Sequence, residues 1–205
     1  DPEEARLFTR MAFALSEEYD RPVIVRITTR IAHSRGIVSL EDPETVPVRD
    51  FVRDPRKYVM IPAFARPRHK VVEDNMARLQ MNAGRYPFNR IEWAGRKRGI
   101  ITDSVAYQYV KEVCPGDSVL KIGMVWPMPD DLIREFAKGV DEVFVVEELD
   151  PFIQEYVRAL GIRVTGKEII PMMGELSPEI VDSALNGNDS PRPLPDYTAP
   201  IPNRP

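Results

Sequence analysis

Segment 28–36, TTRIAHSRG, concentrates side chains that can bind an anion: two arginines, one histidine and three hydroxyl groups. It follows the apolar run 23–28, and if that run is a strand the segment lies at its carboxyl end, where open α/β sheets place ligand crevices. An arginine fork gives a carboxylate two parallel charge-assisted hydrogen bonds. We therefore predict a carboxylate or phosphate site. The alternative is a structural loop with salt bridges to neighbouring acids and a hydrogen-bonded His33.

A second polar cluster, 147–151 (EELDP), also follows a predicted strand and opens a predicted helix. Paired carboxylates can act as general acid and base or bind Mg²⁺. No histidine, lysine or second acidic cluster in the sequence is placed to complete either site. Because acidic groups also complement the positive end of a helix, we favour capping together with a subunit contact.

The charge changes sign along the chain. Residues 49–98 hold thirteen Lys/Arg against five Asp/Glu, whereas residues 99–187 hold seven against sixteen. The basic stretches 66–70 and 96–98 have aromatic neighbours, as single-stranded nucleic-acid sites do. The overall pI of about 5.4 and the acidic second half argue against that function. We predict no nucleic-acid partner, but two surfaces with different partners, or contact with a second copy or sibling subunit.

Composition excludes several classes of protein. The 205 residues are 43% apolar and 29% charged, which is typical of a globular chain, and no apolar run is long enough to span a membrane. The single Cys114 forms no internal disulfide and holds no iron–sulfur cluster, and a reducing cytoplasm is expected. Two distant histidines make a His-based metal site improbable. The sequence contains neither a GxGxxG nor a GxxxxGK[ST] motif, so no nucleotide-binding loop is predicted.

The elements that would position these residues alternate along the chain. Apolar spacing predicts a helix over 3–18, and the β-branched run 23–28 predicts a mostly buried parallel strand. A basic connector with one helix over 69–83 follows. Further strands are predicted at 99–102, 118–124, 142–146 and 162–165, and helices at 104–113 (capped by Asp103 or Ser104), 130–139, 151–160 and 177–185. This alternation predicts a parallel-type three-layer α/β sandwich over 99–185.

Residues 99–148 resemble the transketolase C-terminal-like domain of thiamine-diphosphate-dependent 2-oxoacid:ferredoxin oxidoreductases. The resemblance rests on GIITDSVAYQYVKEV and SVLKIGMVWPMPDDLIREFAKGVDEVFVVEE. VIVRITTRIAHSRG, FNRIEWAGRKRGIIT, ELDPFIQEYVRALGI and GELSPEI support it in the same order. Within this family the chain is most similar to α subunits of the branch that acts on indolepyruvate.

The resemblance implies four parts and a piece of a longer protein. The parts are 1–40, the end of a pyrimidine-binding domain; 41–89, a basic connector; 90–187, the transketolase C-terminal-like domain; and 188–205, a Pro-rich linker. The expected fold is α/β, a three-layer sandwich preceded by the last helix and strand of the pyrimidine-binding domain. The family's diphosphate-binding Gly-Asp-Gly…Asn pattern and its Cys-rich cluster motifs are absent from this sequence.

The resemblance also implies a function: oxidative decarboxylation of aryl pyruvates to acyl-CoA, with ferredoxin as electron acceptor. It implies thiamine diphosphate, Mg²⁺ and [4Fe–4S] clusters in the full-length enzyme, with none bound to this piece alone. The implied partners are a β subunit, ferredoxin, coenzyme A and the 2-oxoacid, in an oligomer. Arg30 and His33 match the Arg-x-x-His pattern at the end of the family's pyrimidine-binding domain, and in related pyruvate enzymes the arginine of this pattern is the one that holds the substrate carboxylate. With Thr29 they are our predicted substrate-binding residues; no catalytic, cofactor-binding or metal-binding residue is assigned in this chain.

Two alternatives stay open. The chain could belong to an enzyme for pyruvate or another 2-oxoacid, which pocket residues outside it would decide. It could also be a non-catalytic domain whose basic and acidic halves dock partner subunits. In either case the isolated chain is expected to be inactive.

Overall fold

The computed structural model describes residues 1–188 except 44 and 49, so the predicted linker lies, apart from its first residue, outside the described residues. The chain divides into two compact units. The first comprises Asp1–Arg90 with Ile122–Glu135, and the second comprises Ile91–Lys121 with the residues from Phe136 onward. In the described part of the chain, no helix has both the length and the apolar character that crossing a bilayer requires.

The first part of the chain, up to residue 85, contains only helices, and from residue 90 onward strands and helices alternate. The helices are α1 Pro2–Tyr19, α2 Thr29–His33, α3 Pro55–Tyr58, α4 Pro62–Asn82, α5 Ala106–Val113, α6 Asp130–Lys138, α7 Phe152–Ala159 and α8 Pro178–Asn186, with a 3₁₀ turn at Ala83–Arg85. The strands are β1 Arg90–Glu92, β2 Gly95–Asp103, β3 Asp117–Ile122 and β4 Glu142–Val146.

Helix α1 agrees with its prediction because both of its ends carry strong signals. The Asp1 side chain accepts a hydrogen bond from the Glu4 N–H at 2.9 Å, and Pro2 occupies the first turn, where a missing N–H costs nothing. Asp20 ends the helix in the left-handed conformation with φ at 50°. Its apolar face forms the core of the first unit, a cluster of Leu15, Tyr19 and Phe88 with Phe8, Met11, Leu79, Tyr86 and Met124 around it.

One buried side chain joins distant segments of this unit. Asn89, with 4% of its surface exposed, donates from Nδ2 to the Ala83 carbonyl at 3.0 Å. Its Oδ1 accepts from the N–H groups of Gly123 and Met124 at 2.9 and 3.0 Å. The two backbones approach so closely that a Cβ at Gly123 would lie 2.5 Å from the Phe88 carbonyl oxygen. Only glycine fits there without a backbone shift.

Helix α4 begins seven residues before its predicted start. Pro67 lies inside it, and a proline removes one helical hydrogen bond, which is why the sequence pattern placed the start later. Side chains of α4 bind the end of α1: Asn75 Nδ2 donates to the Tyr19 carbonyl at 3.1 Å, and Arg78 donates to the Glu18 carbonyl at 2.7 Å. These bonds satisfy carbonyls that a helix end leaves open.

The strand predicted at 23–28 is not formed. These residues belong to no helix or strand, and Ile24 is 91% exposed. A β-branched run becomes a strand only when another strand supplies hydrogen bonds and a surface to pack on. None of the described strands pairs with this run, so the prediction was wrong for this chain.

The second unit is built on the four-stranded sheet, whose order is β1-β3-β2-β4. Strands β2 and β4 are parallel, with a register that runs from Arg98 opposite Glu142 to Thr102 opposite Val146. Neighbouring residues of β2 meet helices on opposite faces. Ile100 lies in the core cluster that includes α5 and α8, whereas a Cβ on Gly99 would lie 2.9 Å from the ring of Phe136 in α6.

The α/β prediction is confirmed, and the three-layer transketolase-like arrangement stays a prediction. Two local expectations were wrong. The strand predicted at 162–165 is not formed: of these residues only Thr165 pairs with the sheet, through a single bridge to Phe144. Neither Asp103 nor Ser104 caps α5: Ser104 is left-handed with φ at 49°, and the cap position falls on Val105, which has no side-chain acceptor.

Candidate functional site

The structure brings the three predicted substrate-binding residues onto one short helix. Thr29, Arg30 and His33 all lie in α2. The first hydrogen bond of this helix runs from the Ala32 N–H to the Thr28 carbonyl, at 3.0 Å. Residues three and four positions apart share one face of a helix. His33 is therefore a neighbour of both Arg30 and Thr29. Thr29 and His33 are exposed and Arg30 is half-buried, so this turn is accessible in the chain.

The segment around α2 is purely cationic. From 21 to 40 the chain carries four arginines and no aspartate or glutamate. One of them, Arg21, donates to the Val72 carbonyl at 2.7 Å and fastens the start of the segment to α4. The other three flank or belong to α2. Such a run of one sign raises the local concentration of anions.

Contacts with distant residues hold both ends of this segment, ion pairs at its start and a hydrogen bond at its end. At the first end Asp20 binds Lys57 and Arg68, and the hydrogen bond from Lys57 is the main reason that its carboxyl pKa lies below the usual value. At the other end Glu3 accepts from the Ser39 N–H at 3.1 Å. A hydrogen bond from Arg6 holds the pKa of Glu3 below its ordinary range. The α2 segment is thus held by α3 and α4 at its start and by α1 at its end.

The residue before α2 has an unused hydroxyl. Thr28 occupies the cap position, but its side chain accepts no helix N–H. Its Oγ1 is buried and has no hydrogen-bond partner among the described residues. A buried polar atom without a partner is uncommon in folded proteins and calls for an explanation. Here it lies two residues from Arg30, next to the predicted anion site.

The acidic cluster at 147–151 is used for capping. Buried Glu147 accepts from the N–H groups of Ile153 and Gln154 at 2.8 and 2.9 Å, and burial raises the pKa of its carboxyl. Glu148 accepts from the Leu176 N–H at 2.9 Å. These carboxylates serve the helix and the following loop, which agrees with the capping interpretation.

Sequence analysis missed two members of this cluster. Lys167 donates to the Glu147 carbonyl at 2.6 Å, and burial lowers the pKa of its ammonium. Glu168 accepts from the Gly166 N–H and from Arg158, whose hydrogen bond brings the pKa of Glu168 to about 2. The one available signal was that Lys167 is the sole Lys or Arg over 164–188.

The basic stretches bind within the chain. Arg68 pairs with Asp20, and on α4 His69 and Lys70 each face an acidic residue four positions later. Arg98 donates to Asp117 at 2.6 Å, to the Leu185 carbonyl at 2.6 Å and to Asn186 at 2.7 Å. These pairs support the interpretation of the stretches as structural faces.

Replacing Arg98 by alanine is expected to lower the free energy of unfolding by about 2 kcal/mol, because Asp117 and the end of α8 lose their half-buried donor. Urea denaturation followed by circular dichroism measures this. The neighbouring Lys97, which is exposed, is the control: its alanine variant should stay within about 0.5 kcal/mol of wild type. Equal stability of the two variants would contradict the structural role of Arg98.

No metal site is formed by the described residues: no three His, Cys, Asp or Glu side chains come together in a way that could hold an ion. Cys114 is a buried free thiol, and burial raises its pKa. A thiol in that state is a poor metal ligand and nucleophile.

The relatives found by comparison with known proteins all carry the same name. No family model matches the chain. It is 35% identical over 193 residues to the indolepyruvate oxidoreductase subunit IorA of Pyrococcus abyssi, covering 85% of the chain and 30% of that protein. The IorA of Methanothermobacter thermautotrophicus is 35% identical over 91% of the chain, and that of Archaeoglobus fulgidus 30% over 95%. The chain thus spans about a third of these relatives' length.

Among solved structures, a 2-oxoacid:ferredoxin oxidoreductase is similar in fold. It is the 2-oxoglutarate:ferredoxin oxidoreductase of Magnetococcus marinus with 2-oxoglutarate, coenzyme A and succinyl-CoA bound. The TM-score is 0.50 at 18% identity, over 62% of this chain and 24% of the other. This likeness supports the α/β fold.

Proposed function

The chain is homologous over most of its length to one third of the indolepyruvate oxidoreductase subunit IorA, and we propose that it forms the corresponding part of a 2-oxoacid oxidoreductase. In this proposal the whole enzyme decarboxylates an aryl pyruvate such as indolepyruvate, forms an acyl-CoA and passes the electrons to ferredoxin. A β subunit completes it in the cytoplasm. The shared name of the relatives supports the indolepyruvate assignment.

The role proposed for this chain is to hold the substrate carboxylate. The observation that carries the proposal is Arg30, on a fixed helical turn inside a stretch of four arginines without an acid. A guanidinium binds a carboxylate through two parallel hydrogen bonds, and His33 and Thr29 on the same turn offer further donors.

Residues 1–40 would then be the end of a pyrimidine-binding domain, 41–89 a connector, 90–187 the transketolase C-terminal-like domain and 188–205 a linker. Thiamine diphosphate would supply the carbanion chemistry of such an enzyme. The described residues do not fit that cofactor's Mg²⁺ or an iron–sulfur cluster, because they form no three-ligand group and the chain has one cysteine. We therefore assign these groups to polypeptide outside this chain.

The test compares Arg30→Ala with wild type in the full-length subunit assembled with its partner. We expect kcat/KM for indolepyruvate, measured by ferredoxin reduction, to fall about 100-fold, which corresponds to the loss of about 3 kcal/mol of charge-assisted binding. Arg35→Ala, also cationic and exposed, is the matched control and should change kcat/KM less than about threefold.

Three outcomes separate the alternatives. Unchanged kinetics of Arg30→Ala would remove Arg30 from the site and leave this part of the subunit as a docking domain. Wild-type activity with pyruvate or another 2-oxoacid, but none with indolepyruvate, would keep the class of reaction and change the substrate. Equal losses in Arg30→Ala and Arg35→Ala would indicate general electrostatic attraction instead of a carboxylate contact.

A further inference from the structure

Helix α2, which carries the predicted substrate-binding residues, is too short to maintain its own conformation. It has five residues, none of them buried, and the cap residue Thr28 gives it no side-chain hydrogen bond. Isolated helices shorter than about twelve residues are marginal in water. The conformation and the place of α2 must therefore come from how the rest of the unit holds the segment around it.

This segment runs back along α1. It leaves α1 at Asp20, just after the carboxyl end, and reaches the opposite end at Gly36, where a Cβ would lie 3.3 Å from Cγ of Pro2. An 18-residue helix is about 27 Å long, whereas the sixteen residues from 20 to 36 could span about 55 Å if extended. The chain is about twice as long as the distance requires, so its length alone does not fix the place of Arg30.

The first fixed point of the segment is the side chain of Asp20. Its carboxylate binds Lys57 of α3, at 2.7 Å, and Arg68 of α4. Asp20 has the left-handed conformation, with φ at 50°, which turns the chain out of α1. The next residue, Arg21, donates to the Val72 carbonyl on α4 at 2.7 Å. Two consecutive residues therefore orient the chain as it leaves α1 toward α2.

Of these two residues, Asp20 contacts more elements. Its one carboxylate joins the end of α1 to α3 and α4, whereas the hydrogen bond from Arg21 reaches α4 alone. A single exposed ion pair contributes little, but replacing a carboxylate that two cations share removes both pairs at once. A displacement of about 1 Å at a binding group is enough to lower a reaction rate strongly.

We propose that Asp20 is a positioning residue for the candidate site: through Lys57 and Arg68 it sets the course of the chain into α2, and with it the place of the Arg30 guanidinium. Asp20 touches no substrate in this proposal, and its effect on the reaction passes through Arg30. The inference rests on the proposed function, in which Arg30 holds the substrate carboxylate.

Hydrogen–deuterium exchange of the full-length subunit, assembled with its partner, tests the conformational part. The variant is Asp20→Asn, because asparagine also adopts the left-handed conformation and the change removes only the charge. We expect deuterium uptake by the peptide spanning 28–36 to become at least about fivefold faster, because the bond from the Ala32 N–H to the Thr28 carbonyl opens more often. Unchanged uptake would overturn the proposal.

Asp74→Asn is the matched control for Asp20→Asn. It removes the charge of another ion pair in the same unit, the exposed pair with Lys70 on α4, where the two charged atoms lie 2.6 Å apart. Uptake over 28–36 should stay within about twofold of wild type in this variant. If the control accelerated uptake as much as Asp20→Asn does, the effect would not belong to Asp20 and the proposal would fail.

The effect on the reaction is measured by ferredoxin reduction in the same assembled enzyme. Asp20→Asn should lower kcat/KM for indolepyruvate about tenfold, mainly through KM. In an Arg30→Ala background it should have almost no further effect, because a positioning residue acts only through the group that it positions. Equal losses with and without Arg30 would indicate a general structural role and overturn the proposal.

Failure of the proposed function would look different. If Arg30→Ala left kcat/KM unchanged, Arg30 would not hold the carboxylate. Deuterium uptake over 28–36 would then decide the role of Asp20 alone, faster uptake in Asp20→Asn supporting it and unchanged uptake refuting it. If Arg30→Ala lowered kcat/KM and Asp20→Asn did not, the proposed function would stand and the positioning role would be refuted.

Lys57→Met controls for a folding effect of changing Asp20 itself. It removes one of the two cations and leaves Asp20 in place, so it should reproduce a smaller part of both effects, about threefold in kcat/KM. Combined with Asp20→Asn it should add little, because both changes break the same pair. Fully additive losses would contradict the route through Lys57.

Discussion

Replacing Asn89 by alanine is expected to lower the free energy of unfolding by about 3 kcal/mol. The substitution removes an acceptor from the N–H groups of Gly123 and Met124, and a donor from the Ala83 carbonyl. The site is buried, so water does not replace these partners, and each unsatisfied group costs about 1 kcal/mol or more. Urea denaturation of the chain, followed by circular dichroism, measures the change.

Asn75→Ala is the matched control for this prediction. Asn75 also donates to a backbone carbonyl, that of Tyr19, but makes this one bond at a half-buried position. Its loss should cost about 1 kcal/mol. If the Asn89 variant were no less stable than the Asn75 variant, Asn89 would not be the tie between 83 and 124 that the geometry indicates.

The second large effect is expected at Glu147. Glu147→Ala leaves the N–H groups of Ile153 and Gln154 without their acceptor at the buried start of α7, and should cost about 3 kcal/mol at pH 5. Glu155→Ala, exposed on the same helix, is the control and should stay within about 0.5 kcal/mol of wild type. An effect of Glu147→Ala no larger than that of the control would contradict the capping role.

The cost of Glu147→Ala should depend on pH. Burial raises the pKa of the folded Glu147 carboxyl above its unfolded value, so the folded state holds the proton more tightly. Its contribution to stability is full below the unfolded pKa and declines as pH rises through the folded pKa. The stability difference between wild type and variant should therefore be smaller at pH 8 than at pH 5. A difference that grows with pH would show that the carboxyl pKa is lowered instead.

Local sequence patterns were sufficient to predict helices with strong capping residues and strands buried inside the sheet. Strand 142–146 agrees with its prediction at both ends, because its apolar run is buried against β2. Helix α1 has a capping aspartate and a proline at its start. The run 23–28 has equal β propensity but no strand beside it in the described residues, and propensity without a partner does not make a ladder.

The candidate site was predictable in composition but not in conformation. The types of residue at 29, 30 and 33 indicated an anion site. Nothing in the sequence showed that they lie on one helical turn, in a segment held by α3 and α4 at its start and by α1 at its end. That arrangement depends on Ser39 and Asp20, which contact residues distant in sequence. Lys167 was missed for the same reason, since its partner is a backbone carbonyl twenty positions away.

The two edges of the sheet have a consequence for concentrated solutions. On one side the edge strand β1 is three residues long, and on the other the outer side of β4 exchanges two hydrogen bonds with Thr165, at 2.8 and 3.1 Å. Very short edges and edges already occupied give an incoming strand little to extend. Edge-to-edge growth of this sheet by added strands is therefore suppressed on both sides.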